Sequence, residues 1–141
     1  MNAVTRHELA QLEAPTVTFR LDGREVTARA DETILKVADR EGVEIPRLCY
    51  KDGLEEVGNC RSCMVEIKGE RVLAPSCCRA PTSGMEVSSK SDRAVASQKM
   101  VLELLLADMP EAAYTRNNEL DQWARKLNIR RPRFDARVQV P

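Results

Sequence analysis

Apolar and polar residues alternate from position 16 onward: Val17, Phe19 and Leu21 share one face, Thr18 and Arg20 the other. A period of two marks a half-buried strand. Asp22-Gly23 then supplies a two-residue turn, because both central positions of a tight hairpin need positive φ. Val26 and Ala28 resume the inward face. The pattern predicts a β-hairpin over 16–21 and 24–29. The period changes in DETILKVADREG, where Ile34, Val37 and Ala38 have helical spacing. Asp31 is the expected N-cap, Glu32 suits the positive end of the helix dipole, and Gly42 suits the position just past the helix end.

MVEIKGERVLA reads as a second hairpin turning at Lys68-Gly69-Glu70, with Val65 and Ile67 inward, and MEVSS as a last short strand. The order is strand, strand, helix, loop, then three strands: an α+β fold with one helix laid across a small mixed sheet. From Ser89 the pattern becomes helical. SKSD has the form of a capping box, RAVASQKMVLELLLADM follows, and Pro110 stops it. Leu102, Leu104, Leu105 and Leu106 point in several directions around that helix, so one sheet cannot cover them all. NNELDQWARKLNI predicts a further helix with Leu120, Trp123 and Leu127 as its packing stripe. The chain thus divides into an N-terminal arm at 1–15, a sheet domain at 16–89, and a helical extension with a basic linker or docking tail at 90–141.

Composition narrows the function. Twenty-two basic residues balance 22 acidic ones, and aromatic residues make up only 4% of the chain. Neither favours a nucleic-acid surface, and the basic residues Arg125, Lys126, Arg130, Arg131, Arg133 and Arg137 read as a solvated or partner-facing patch. The longest apolar run, MVLELLLADM, contains Glu103 and Asp108 and is too short to cross a bilayer; with no signal-peptide pattern at the N-terminus, a cytoplasmic, non-inserted protein is expected. The only histidine, His7, lies in the arm and is assigned no role. The chain shows no nucleophile–base pair and no phosphate-cradling loop, so no catalytic residue is assigned.

The distinctive chemistry is sulfur. All five cysteines fall between Cys49 and Cys78. In a reducing compartment such a cluster points to metal or redox chemistry rather than disulfides. Cys49, Cys60, Cys63 and Cys77 are separated by ten, two and thirteen residues. Only one CxxC is present, whereas structural zinc ribbons usually use two. One cysteine before a CxxC, with a distant fourth, matches plant-type [2Fe–2S] spacing. A zinc-stabilised interaction module and a redox thiol pair stay open beside it. Gly53, Gly58 and Asn59 let the loop wrap closely, and Arg47, Lys51, Arg61 and Arg79 add positive charge near a cluster. Cys78 reads as a buried small residue, since four ligands suffice.

IPRLCYKDGLEEVGNCRSCMVEI followed by LAPSCCRAPTSGMEV resembles the N-terminal [2Fe–2S] domain of the complex I large peripheral-arm subunit, of NAD-reducing hydrogenases, and of NAD-dependent formate dehydrogenase α subunits. The likeness runs over about 16–110. It implies a β-grasp ferredoxin fold at 16–89 and one [2Fe–2S] cluster on Cys49, Cys60, Cys63 and Cys77. Cys77 is preferred over Cys78 because the family ligand stands seven residues before the glycine that is Gly84 here. The implied function is one-electron relay inside a multi-cluster NAD-linked oxidoreductase. Its other subunits or domains would carry [4Fe–4S], molybdopterin and flavin or NAD modules. Complex I relatives bear a second cluster site, whose positions fall on Met109, Ala113, Arg116 and Gln122, so that cluster is expected to be absent. ELDQWARKLNIRRPRF looks more like the formate dehydrogenase branch, which makes the chain the expected N-terminal part of such an α subunit; the alternative is a ferredoxin-like subunit of an NAD-reducing hydrogenase or complex I-like enzyme. Residues from about 90 are expected to dock on another part of the complex rather than close the β-grasp core.

Overall fold

The computed structural model describes residues 15–110, 115 and 117–136. The arm at 1–14 with His7, together with Ala113, Arg116 and Arg137, lies outside the described residues. Strands β1 (Thr16–Leu21) and β2 (Arg24–Arg29) form the predicted hairpin, in register from Thr16↔Arg29 to Leu21↔Arg24. Asp22 and Gly23 have φ of 48° and 83°, as the tight turn requires. The Asp22 carboxylate also accepts hydrogen bonds from the Ser89 backbone N–H at 2.7 Å and its hydroxyl at 2.6 Å. The turn is thereby tied to a residue 67 positions further along the chain.

Strands β3 (Met64–Ile67), β4 (Ala74–Pro75) and β5 (Glu86–Ser88) complete a five-stranded sheet in the order β2-β1-β5-β3-β4. β5 runs parallel to β1 and antiparallel to β3. This is the mixed sheet of the expected β-grasp ferredoxin fold. The second hairpin is wider than its glycine suggested. Glu70 N–H closes a turn on the Ile67 carbonyl, but pairing with β4 begins only at Val65↔Ala74.

Helix α1 (Ile34–Arg40) buries Ile34, Leu35, Val37 and Ala38 in the main core with Phe19, Leu21, Val65 and Val87. Its N-cap is Thr33, not Asp31; the threonine hydroxyl accepts from Lys36 N–H. Glu32 therefore lies outside the first turn. Its buried carboxylate takes the Arg29 backbone N–H at 2.9 Å and Arg40 at 3.0 Å, a local pairing that outweighs the dipole term. At the other end Val43 N–H reaches the Ala38 carbonyl and Gly42 N–H the Asp39 carbonyl, with Gly42 at φ 73°. This pair of bonds satisfies the last carbonyls and turns the chain toward the cysteines.

Helix α2 (Asp92–Asp108) starts two residues later than the capping-box reading placed it. Ser91 is the N-cap, accepting from Ala94 N–H, because Ser89 is already committed to Asp22. Its inner face, Ala94, Gln98 and Leu102, is buried, and the Gln98 amide donates to the Met64 carbonyl at 2.9 Å and the Ser89 carbonyl at 3.2 Å. The expectation that residues from about 90 dock elsewhere rather than close the β-grasp core is corrected for that face: α2 packs on β3 and its Gln98 hydrogen-bonds the Met64 carbonyl there. Its outer face leaves Met100, Leu104, Leu105 and Met109 exposed. Helix α3 (Glu119–Lys126) packs on α2. Its fully covered residue is Ala124; Leu120, Trp123 and Leu127 are half-buried, and Lys126 lies over the Trp123 ring. Among the described residues no helix is long and apolar enough to cross a membrane.

Candidate functional site

Two backbone devices position the cysteines. The first is the start of α1. The Leu35 N–H donates to the Ser76 carbonyl and the Ile34 N–H to the Arg79 carbonyl, both at 2.9 Å. These are donors that a helix cannot satisfy internally, and here they anchor the turn carrying Cys77 and Cys78. The second is Ser76, fully buried, whose hydroxyl donates to the Cys63 carbonyl at 2.7 Å and whose N–H donates to it at 3.1 Å. Cys63 and Cys77 are thus fixed side by side, 2% and 1% exposed.

The CxxC is bent by Arg61 at φ 58°, a left-handed conformation that costs a non-glycine residue roughly 1 kcal/mol or more. The bend turns Ser62 inward. It is fully buried, and its Oγ lies 3.0 Å from Cys60 Sγ. Burial alone would push the Cys60 thiol up. The Ser62 hydroxyl, the Ser62 and Cys49 backbone N–H groups and the Cys49 thiol instead bring it down to about 7. Cys77 goes the other way: burial, the adjacent Cys63 sulfur and the Cys78 thiol push it well up. Cys49 and Cys60 are half-exposed, so one end of the site reaches solvent while the Cys63 and Cys77 end is covered.

By burial the four cysteines divide into a covered pair, Cys63 and Cys77, and a half-exposed pair, Cys49 and Cys60. Among the described residues no three His, Cys, Asp or Glu side chains gather tightly enough to hold one metal ion. Pairs of thiolates suit two irons with two cysteines each, rather than one tetrahedral zinc. Four thiol side chains fit a [2Fe–2S] cluster in their chemistry.

Cys78 is exposed, contrary to the buried role expected for it. Its Sγ is 3.5 Å from Cys77 Sγ. Gly58, at φ 60°, passes so close that a Cβ there would meet Cys78 Sγ at 2.9 Å. The positive residues near the site are largely neutralised. Arg47 donates to both carboxylate oxygens of Asp39 at 2.5 Å and lies over the Tyr50 ring. Lys51 pairs with Glu119 and Arg79 with Glu70. The C-terminal basic patch is also partly spent inside the chain, since Lys126 pairs with Glu44 at 2.6 Å and Arg133 with the buried Glu103. Of the positions matching a second cluster, Met109 caps the end of α2 and Gln122 donates to the Asn117 carbonyl.

The residues missed by sequence reading are Ser62 and Ser76. The only sequence signal was a small hydroxyl residue beside a ligand-type cysteine, and that alone does not say where the hydroxyl points.

Residues 14–92 match the family described as the 2Fe-2S iron-sulfur cluster binding domain. The chain is 36% identical over 130 residues to the NADP-reducing hydrogenase subunit HndD of Solidesulfovibrio fructosivorans, covering 85% of this chain and 22% of that protein. It is 38% identical over 94 residues to the mitochondrial NADH-ubiquinone oxidoreductase 78 kDa subunit of Candida albicans, covering 67% of this chain and 13% of that protein. Against an NADH-quinone oxidoreductase subunit of Streptomyces coelicolor it is 38% identical over 96 residues, with 67% and 11% covered. A crystal structure of an NAD+-reducing [NiFe]-hydrogenase superposes with a TM-score of 0.78 at 27% identity, over 89% of this chain and 54% of that one. The chain thus spans less than a quarter of the length of these curated relatives.

Proposed function

This chain belongs to the family of 2Fe-2S iron-sulfur cluster binding domains, and from that premise we propose that it relays single electrons within a multi-cluster, NAD-linked oxidoreductase. Its cofactor is a [2Fe–2S] cluster, which supplies one-electron chemistry that no side chain here provides. Cys49, Cys60, Cys63 and Cys77 would hold it. The observation that carries this reading is that Ser76 holds Cys63 and Cys77 together under cover, while Cys49 and Cys60 are half-exposed. The buried pair anchors; the half-exposed pair faces the surface through which an electron partner is reached. The rest of the chain keeps water from Cys63 and Cys77.

The relatives' names, a hydrogenase subunit and NADH-linked oxidoreductase subunits, support a hydrogenase-like or complex I-like setting. The second reading, the N-terminal part of a formate dehydrogenase α subunit, is favoured by the segment 119–134 and by Met109 and Gln122 standing where second-cluster ligands are found in complex I relatives. In either setting the partners are subunits or domains carrying further clusters and a flavin or NAD site.

The test is spectroscopic. Protein prepared without oxygen should contain about two iron and two acid-labile sulfide per chain and bleach on reduction. Cys49→Ser, Cys60→Ser, Cys63→Ser and Cys77→Ser should each bleach or destabilise the cluster, because a harder oxygen replaces a soft thiolate, while Cys78→Ser should leave the spectrum nearly intact. A colourless protein holding zinc would end the reading. Loss of the cluster in Cys78→Ser, with retention in Cys77→Ser, would reverse the assignment of the fourth ligand.

A further inference from the structure

Among the described residues, the Ser62 hydroxyl has a sulfur as its hydrogen-bond partner. It is fully buried, between two cysteines of the CxxC, and Cys60 Sγ at 3.0 Å is the hydrogen-bond partner found for its hydroxyl among the described residues. A buried hydroxyl without a partner is costly, so this contact is held in place. The left-handed Arg61 fixes the backbone on one side, and Cys63, with its carbonyl bound twice by Ser76, fixes it on the other. The geometry has one chemical direction once Cys60 ligates iron. The sulfur is then a thiolate and can only accept, so the Ser62 O–H must donate.

We infer that Ser62 sets the reduction potential of the cluster, raising it through an O–H···S bond to Cys60. The physical reason is that reduction adds one negative charge, part of which resides on the ligand sulfurs. A donor fixed on one of those sulfurs stabilises the reduced state more than the oxidised state. The bond costs no reorganisation, because the hydroxyl is already aimed before the electron arrives. Ser76 is the contrasting case: it is equally buried and equally close to the ligands, but its hydroxyl goes to a backbone carbonyl and not to sulfur. Ser62 is thus a positioning residue acting through Cys60. The inference rests on the reading of Cys60 as a ligand.

The experiment uses the full-length chain with its cluster in place. Midpoint potentials are measured by redox titration, following the EPR signal of the reduced cluster, for Ser62→Ala, Ser62→Gly, Ser62→Thr and Ser76→Ala. Iron and sulfide content is determined on the same samples. Both hydroxyl-free Ser62 variants should hold a full cluster and titrate at more negative potential. At fixed applied potential the reduced-to-oxidised ratio should fall on the order of tenfold, which for one electron is about 59 mV. Ser62→Thr, which keeps the hydroxyl, should stay near the wild-type value, and so should Ser76→Ala. A wild-type potential in either loaded hydroxyl-free variant overturns the inference, and so does loss of the cluster from both. Failure of the underlying ligand reading looks different: Cys60→Ser would then keep its iron and its spectrum.

Discussion

Gly58 shows how little room the cysteine loop has. Its φ of 60° already disfavours any side chain, and a Cβ would come within 2.9 Å of Cys78 Sγ. Gly58→Ala is expected to cost about 1–2 kcal/mol from the left-handed backbone alone, with the sulfur contact added to it. Chemical denaturation of the single variant and of Gly58→Ala with Cys78→Ala separates the two: the second substitution should recover the contact but not the backbone cost. Equal stability of wild type and Gly58→Ala would mean that the loop relaxes freely. Tyr50, next to Cys49, offers a pH test. It is buried, and burial, followed by its hydrogen bond to Asp52, pushes its phenol up to about 12. A group whose folded pKa lies above its unfolded value stabilises the fold below the unfolded value, near 10, and loses that contribution as pH rises through the folded one. Stability of the cluster-bearing protein should therefore decline between about pH 10 and 12, and Tyr50→Phe should flatten that decline. An unchanged slope in Tyr50→Phe would sink this account.

At the level of elements, α2 has two faces with different tasks. Gln98 is 2% exposed and serves two backbone carbonyls, one on β3 and one at the end of β5. Gln98→Ala should cost roughly 1–3 kcal/mol, since both carbonyls lose a partner in a buried setting. Leu102→Ala, at a fully buried position, should cost about 2–5 kcal/mol. Leu104 is 48% exposed, and Leu104→Ala should stay within about 0.5 kcal/mol in the isolated chain. Denaturant midpoints for the three variants check the division. A large loss for Leu104→Ala would place that residue in the chain's own core and remove it from any docking surface.

For the whole molecule the question is where the fold can be cut. A chain ended after Pro110 loses α3, which is tied back to the cysteine region by the ion pairs Lys51–Glu119 and Lys126–Glu44. Those exposed pairs contribute at most about 1 kcal/mol each, but the cut also takes Arg133 from the buried Glu103 and the cover of α3 from α2, so this shorter chain should keep its cluster and melt measurably below the full one. A chain ended after Ser88 also loses α2, and with it the cover over β3. It should melt far lower or fail to retain the cluster. Thermal unfolding followed in the visible band gives the answer, and equal melting of the two truncations would show that α2 contributes nothing to the sheet.

The alternation from Val17 to Ala28, the Asp22-Gly23 turn, the helical spacing in 34–40 and the cysteine spacing were legible in the sequence, because each depends on a local period or a local backbone preference. The helix caps were less so. Asp31 and Ser89 had the right chemistry for their expected roles, yet Thr33 and Ser91 are the caps. Ser89 was taken by Asp22 from 67 residues away, and Glu32 by the backbone of β2 and by Arg40. Which sulfur is buried, which is exposed, and which hydroxyl faces sulfur were decided only when α1 reached the 76–79 turn and α2 closed on β3. Those contacts join segments distant in sequence, and no local pattern carries the direction in which Ser62 or Cys78 points.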